Sequence, residues 1–521
     1  MATVESNRTQ VPTMHSLVDQ ASGLFRFLTS SEGGLRSRFL RSGFWVSVSL
    51  MSVASLQLVR QIVLAHLLTP DVFGMMAICM IVVRGIDLFS ETGIRPALIH
   101  RRERFEEARD TAFAIMVSRG FMLALVAIAI APVAGWYYGE PRLRNLIIVL
   151  SASFVITGCT NIRTADLEKN LEFRRLTMIE QTGALGQFLA VVTLAYFFRS
   201  IWALVGGQVL GSVVAVCASY LLVPGRPRFR FDRKLARELL NYGRFVTGLT
   251  IVLFITTELD NAVVGKLLSM EALGYYLVAY TLANLPATHL SKVLSRVMFP
   301  AYSILRDDRA KLETAYLNAL QVVGALSLAA SAGIMTLSYD IIRVAYGERW
   351  MPAVASLQIL ALFGAFRAIG SINGYLFNAI GRPDAPFYLN LIKLIIIVAI
   401  IVPATKMYSV LGTSLAVTVP TIVFYFVSIV WLDRASGIAW QKNLRVLAWP
   451  TASILVMVAV LLATRATVGP VGPVGLLGLV AMGVTVFVAM NLQTFGLVLQ
   501  LWKKKSGAAR SLGGAPDAVA T

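Results

Sequence analysis

Apolar runs of membrane-spanning length recur along this chain, and they restrict its fold more than any other feature. A helix crosses a bilayer with roughly 20 mostly apolar residues. About fourteen such runs are legible: 43–65, 73–93, 111–135, 145–163, 178–198, 201–223, 244–265, 274–298, 315–338, 353–379, 387–405, 411–432, 445–464 and 475–501. In lipid the backbone must satisfy its own polar groups, so serial runs of this length fold as a helical bundle. The expected class is an all-α integral membrane protein. Composition agrees: 14% of the 521 residues are charged, where a soluble chain carries about a quarter. A cytosolic enzyme, a disordered chain and a disulfide scaffold are excluded. The closest divisions fall at Gly381-Arg382-Pro383 and at Gly469-Pro470-Val471-Gly472-Pro473. The first forty residues are mixed and polar, so the run from Gly43 is expected to insert as an uncleaved first span.

A net charge of +19 needs explaining in so apolar a chain. Membrane topology explains it better than nucleic acid does, because cytoplasmic loops accumulate Lys and Arg. With the N-terminus in the cytoplasm, about 32 of the 47 basic residues fall on inward segments and about 8 on outward ones. Both termini are thus expected in the cytoplasm. The inward stretch Arg226-Pro227-Arg228-Phe229-Arg230-Phe231-Asp232-Arg233-Lys234 alternates basic and aromatic residues, as an anchor on anionic lipid headgroups does. Cys79, Cys159 and Cys217 lie singly in apolar runs and form neither a disulfide framework nor a metal site.

The two halves of the chain match. Leu67-Leu68-Thr69-Pro70-Asp71-Val72-Phe73-Gly74 aligns with Leu267-Leu268-Ser269-Met270-Glu271-Ala272-Leu273-Gly274, 200 positions on. Tyr137-Tyr138-Gly139-Glu140 aligns with Ala345-Tyr346-Gly347-Glu348, 208 positions on. Both matches fall at corresponding places between spans. An even number of spans separates the copies, so the halves point the same way, and transporters with such repeats bind substrate at the repeat interface. The expected organisation is a tail 1–42, a six-helix lobe 43–223, a basic linker 224–243, a second six-helix lobe 244–432, two extra helices in 433–502 and a tail 503–521.

Ionisable residues inside spans mark function by default. The substrate-cavity candidates are Arg60, Arg84, Arg119, Lys292, Arg296 and Arg367; the ion-coupling or gating candidates are Asp87, Glu258 and Asp260. Each has a plainer reading. Arg84 and Asp87 share a helix face and would pair with each other. Glu91, Glu180, Arg296 and Lys393 lie near inward ends and would snorkel. His289 would be a structural histidine. The 200-residue shift superposes Arg60 on Asp260 at equal depth, roughly 9 Å below the outward boundary. Such a pair would close an outward gate across the lobes, unless each residue pairs within its own lobe. The small basic surplus within spans suits an anionic substrate.

No phosphate-binding G-x-x-x-x-G-K-[ST] loop and no Cys/His metal spacing occurs, so no cofactor or metal is expected. No loop is long enough to hold a catalytic domain. Movement of a solute or lipid is the expected activity, with no catalytic residue.

Several motifs resemble those of a known family. Leu68-Thr69-Pro70-Asp71-Val72-Phe73-Gly74 with Glu91-Thr92-Gly93-Ile94-Arg95-Pro96-Ala97-Leu98-Ile99 resembles the opening of bacterial Wzx-type polysaccharide exporters. Asp260-Asn261-Ala262-Val263-Val264-Gly265, Leu273-Gly274-Tyr275-Tyr276, Ser295-Arg296-Val297-Met298-Phe299-Pro300-Ala301, Tyr346-Gly347-Glu348-Arg349-Trp350-Met351-Pro352-Ala353 and Gly381-Arg382-Pro383 continue the likeness. It covers about 40–430 and is nearest the colanic-acid and succinoglycan exporter branch of the multidrug/oligosaccharidyl-lipid/polysaccharide exporter superfamily. The resemblance implies two six-helix lobes, alternating access, and flipping of undecaprenyl-diphosphate-linked oligosaccharide across the bacterial inner membrane for exopolysaccharide or lipopolysaccharide synthesis. It implies no universal site motif, and makes polysaccharide polymerase and export machinery candidate partners. A lipid II flippase, a cation-coupled drug antiporter and, less favoured by the short loops, a membrane glycosyltransferase or polymerase are the alternatives.

Overall fold

The computed structural model describes residues 35–89, 98, 104–170 and 172–492, with side chains described except in 35–44, 46–48, 50, 89, 237–253, 289–297 and 299–300. Helices make up the regular structure of these residues. In chain order they are α1 (Leu35–Leu67), α2 (Pro70–Phe89), α3 (Phe105–Tyr138), α4 (Arg142–Gly158), the short α5 (Thr164–Lys169), α6 (Phe173–Phe198) and α7 (Ile201–Leu222). Then follow α8 (Arg233–Leu267), α9 (Met270–Ile304), α10 (Arg309–Ala345), α11 (Ala353–Ala379), α12 (Asp384–Ser436), α13 (Trp440–Val468) and α14 (Pro473–Met490). Among the described residues, 8 helices have the length and hydropathy to cross a membrane. The chain is therefore a multi-pass membrane protein. Its lipid-facing surface is apolar, with Leu221, Val474 and Trp136 each more than four-fifths exposed.

The helix breaks follow local chemistry. Ser269 caps α9 by accepting from the amide of Ala272, and Asp308 caps α10 by accepting from that of Lys311. Gly139 ends α3 at φ 69°, a left-handed conformation that favours glycine. The divisions expected at 381–383 and 469–473 are where α11 gives way to α12 and α13 to α14. Within α12 the helical path is interrupted at Tyr408 and Ser409. There the chain folds back: the hydroxyls of Thr405 and Thr413 lie 2.7 Å apart, whereas eight residues of straight helix would separate them by about 12 Å. The long element is thus two antiparallel arms, matching the runs 387–405 and 411–432.

Packing gives two groups of helices. In the first, α6 packs on α1 and α7, and α4 joins α3 to α7. In the second, α11 packs on α9, α10 and α12, and α8 packs on α12. The groups meet where α2 packs against α8 and α9, and where α3 touches α8. α13 and α14 lie on the outside of α10, through a core of Leu337, Met457, Leu461 and Phe487. A buried ion pair fixes that attachment: Arg465 on α13 reaches Asp340 on α10 at 2.9 Å, and Asp340 is fully buried.

Candidate functional site

The two groups are locked together at one end, called here the closed end. Gly74 on α2 lies so near Met270 that a Cβ there would stand 1.8 Å from its carbonyl oxygen. Gly274 on α9 stands in the same relation to Pro70, at 2.0 Å. These glycines are the partners in the 200-residue repeat, so the internal match is a reciprocal contact in space. Trp350, from the turn between α10 and α11, completes the lock. It is fully buried, donates from Nε1 to the carbonyl of Ala65 at 3.1 Å, and meets the ring of Phe73 edge-on at 5.0 Å. Lys266 caps the same end by donating to the Tyr137 carbonyl and lying over its ring.

Beneath the lock lies a cavity of about 520 Å³ between the groups. Its walls come from α1, α2, α6, α7, α8 and α9. The charged groups on them are Arg60, Arg84 and Glu258, which leaves a single positive surplus. Arg84 and Glu258 approach to 3.6 Å and bridge the two groups. A second cleft, of about 540 Å³, shares Arg60, Gln57, Gln187 and Gln208 with the first and continues towards Glu180. Two carbonyl oxygens on the cavity side, from Asn261 and Asn284, are buried without partners. Such acceptors fit hydroxyl donors. The cavity therefore combines cationic groups with amides, the chemistry that holds an anionic and hydroxyl-rich molecule.

The candidate residues divide on inspection. Arg60, Arg84 and Glu258 converge on the cavity. Arg84 does not pair with Asp87 as the shared helix face predicted. Asp87 instead accepts from Arg119 on α3 at 2.7 Å, and Arg84 turns to Glu258. Residues three apart on a helix compete with neighbours on other helices, and here the neighbours win. Arg119 and Asp87 thus clamp α2 to α3.

The expected Arg60–Asp260 gate is also not formed. Asp260 is buried away from the cavity, accepts from the Tyr276 hydroxyl at 2.6 Å, and takes the Asn261 amide at 2.9 Å. The repeat places Arg60 and Asp260 on α1 and α8, but the close contact between groups runs through α2 and α9 instead. Closure falls to the glycine pair and Trp350. Arg367 donates to Thr288 on the cavity wall at 3.0 Å, while its own neighbours form a separate small cavity with Lys393. Lys393 therefore faces protein. Glu180 accepts from Ser49 at 2.7 Å rather than reaching for the surface. The side chains of Lys292, Arg296 and His289, and all of Glu91, lie outside the described residues.

Sequence reasoning passed over Gln57, Gln61, Gln187, Gln208, Tyr280 and Asn284 on the walls. Their signal was present, since uncharged amides inside apolar spans also demand partners. The linker is likewise held more firmly than a free anchor: Arg228 and Asp232 donate backbone amides to Asp110 and Thr111 at the start of α3. Phe229 and Phe231 remain exposed.

A family model described as "Polysaccharide biosynthesis protein" matches residues 63–355. The chain is similar to the lipopolysaccharide biosynthesis protein WzxC of Escherichia coli (strain K12), with 28% identity over 405 residues, covering 76% of this chain and 82% of that one. It is also similar to the succinoglycan biosynthesis transport protein ExoT of Rhizobium meliloti (strain 1021), with 24% identity over 321 residues, 61% of this chain and 64% of that one. Among solved structures, the lipid II flippase MurJ in an inward closed conformation superposes with a TM-score of 0.70 at 16% identity, over 87% of this chain and 99% of its own. An inward-facing multidrug transporter of the MATE family gives 0.61 at 16% identity, over 75% and 98%. These structural likenesses show the fold.

Proposed function

We propose that this chain, which belongs to the polysaccharide biosynthesis protein family, is a flippase for a lipid-linked oligosaccharide repeat unit in polysaccharide synthesis, and not a catalyst. The observation that carries this reading is the cavity between the two helix groups, basic and amide-lined, beneath a locked end. The relatives' names support it: one is a lipopolysaccharide biosynthesis protein, another a succinoglycan biosynthesis transport protein. In this reading Arg60 and Arg84 take the diphosphate, and Asn261 and Asn284 accept sugar hydroxyls. The halves 43–223 and 244–432 rock as lobes, and the lock at Gly74, Gly274 and Trp350 opens as the opposite end closes. Glu258 is the candidate for ion coupling, because its bond to Arg84 must break when the lobes part; Asp260 is a second candidate, held in reserve by Tyr276.

The basic end, with the Arg226–Lys234 linker, faces the cytoplasm in this scheme and rests on anionic lipids of the inner membrane. Polysaccharide polymerase and export machinery are its proposed partners downstream. The test is deletion followed by analysis of surface polysaccharide and of lipid-linked intermediates. The expected result is loss of polysaccharide with accumulation of the undecaprenyl-diphosphate-linked repeat unit. Normal polysaccharide would overturn the reading. Accumulation of lipid II instead would assign the chain to peptidoglycan precursor transport, and raised drug sensitivity alone would assign it to antiport.

A further inference from the structure

A second basic cavity lies within the second group of helices, apart from the one between the groups. It measures about 230 Å³ and is walled by α11 and both arms of α12. Arg367 and Lys393 both face it, and none of its described wall residues is acidic. Like charges sharing a low-dielectric space repel, and cations within a membrane ordinarily have a counter-charge. Neither forms an ion pair with an acidic group among the described residues. Arg367 reaches the neutral hydroxyls of Thr288 and Tyr280, on the wall shared with the central cavity, and Lys393 makes no hydrogen bond or ion pair with another described residue.

An independent feature lines the same space. Tyr425 lines the cavity and is 4% exposed, yet its hydroxyl has no hydrogen-bond partner. The neighbouring polar groups are already satisfied. Asn373 accepts from Tyr316 at 2.8 Å and donates to Ser428 at 2.7 Å. Asn390 donates to the Pro386 carbonyl at 2.8 Å. A single acceptor-rich anion would meet two cations and one buried hydroxyl together. A halide is one point of charge, whereas a tetrahedral oxyanion presents several oxygens to separate donors. The volume sets an upper limit: pockets for drug-sized ligands start at about 300 Å³. An oligosaccharide does not fit, and a phosphate group does.

We propose that Arg367, Lys393 and Tyr425 form a phosphate-binding site inside the second half of the chain, distinct from the central cavity. The same chemistry is offered by free inorganic phosphate and by the phosphodiester of an anionic lipid headgroup reaching in from the bilayer. The proposal is tested by binding, not by flipping, so its failure and the failure of the flippase reading are separable.

Purified full-length chain in detergent is titrated calorimetrically with sodium phosphate, against sodium chloride at equal ionic strength. In parallel, native mass spectrometry scores retention of phosphatidylglycerol against phosphatidylcholine. Saturable phosphate binding that weakens about tenfold or more in Lys393→Gln, and weakens also in Tyr425→Phe, supports free phosphate as the ligand. Phosphatidylglycerol retention lost in the same variants supports the headgroup. The site is overturned if neither ligand binds, if chloride competes equally, or if neither variant alters binding. Should Lys393→Gln fail to fold, Tyr425→Phe carries the test, because it keeps the ring packed on Phe366 at 5.5 Å.

Discussion

Arg84 and Glu258 form the one ion pair described here that joins the two helix groups inside the cavity. Arg84 is 62% exposed, so the pair contributes at most about 1 kcal/mol to stability. Its weight falls on transport. Glu258→Arg is expected to lower polysaccharide output sharply with little change in thermal stability, and Arg84→Glu combined with Glu258→Arg to restore much of it. Export complementation in a deletion strain measures both, and an unrescued double variant sinks the pairing. Trp350 is the opposite case, a buried side chain whose worth is structural. Trp350→Ala is expected to cost about 3–5 kcal/mol, and Trp350→Phe about 1 kcal/mol, through the lost bond to the Ala65 carbonyl. Thermal unfolding of the two variants in one detergent checks the ordering. Arg60, Arg84 and Glu258 were all legible as charges within spans. Their partners were not, because i,i+3 spacing says which residues share a helix face and nothing about what that face meets.

At the scale of elements, the reciprocal packing of Gly74 and Gly274 predicts equal sensitivity of the two turns. Gly74→Ala and Gly274→Ala each place a methyl group against a backbone carbonyl that cannot rotate away, so α2 and α9 must part. Cys79 is fully buried on α2, in the same apolar core as Leu68, Val72 and Leu273. Its modification by a small thiol reagent, located by mass spectrometry, is expected to quicken in both variants. It should stay slow in Gly370→Ala, where a Cβ meets nothing within 4 Å. Unchanged labelling would remove the glycines from the lock.

The start of α8 carries a pH dependence. The amides of Leu235 and Lys234 donate to Asp232 and hold its carboxyl below the usual carboxylate range, with Arg104 nearby adding to the effect. A depressed value means the cap is fully present above the unfolded value near pH 4 and is lost as pH falls through the folded value. Exchange of the Lys234 and Leu235 amides is therefore expected to be faster in Asp232→Ala than in the wild type at neutral pH, with the difference vanishing in acid. The sequence was a good guide to where such elements begin and end, since caps, glycines and prolines act over a few residues. The fold-back at Tyr408 and Ser409 was legible only as a gap between apolar runs.

Across the whole molecule, the basic surplus sorts to one end. The Arg226–Lys234 linker and the starts of α10 and α12 share it, while the closed end has few basic residues, among them Arg199, Lys266 and Arg349. Reporter fusions at residues 226 and 470 are expected to report cytoplasm and the far side respectively. The reverse result would overturn the orientation assigned from the basic residues. The class of the fold followed from the sequence because lipid leaves the backbone few choices: runs of sufficient length must be helices, and a repeat with an even number of intervening spans must point the same way. The helical class and the match between the repeats were therefore legible along the chain. Azimuth was not. Which way each helix turns its charged side depends on how neighbouring helices interlock, and that is a property of packing shapes. Only the tertiary structure could send Asp260 to Tyr276 and give the close contact between the groups to two glycines and a tryptophan. It alone brought Arg367 and Lys393, from separate helices, to one small cavity with no acidic group among its described wall residues.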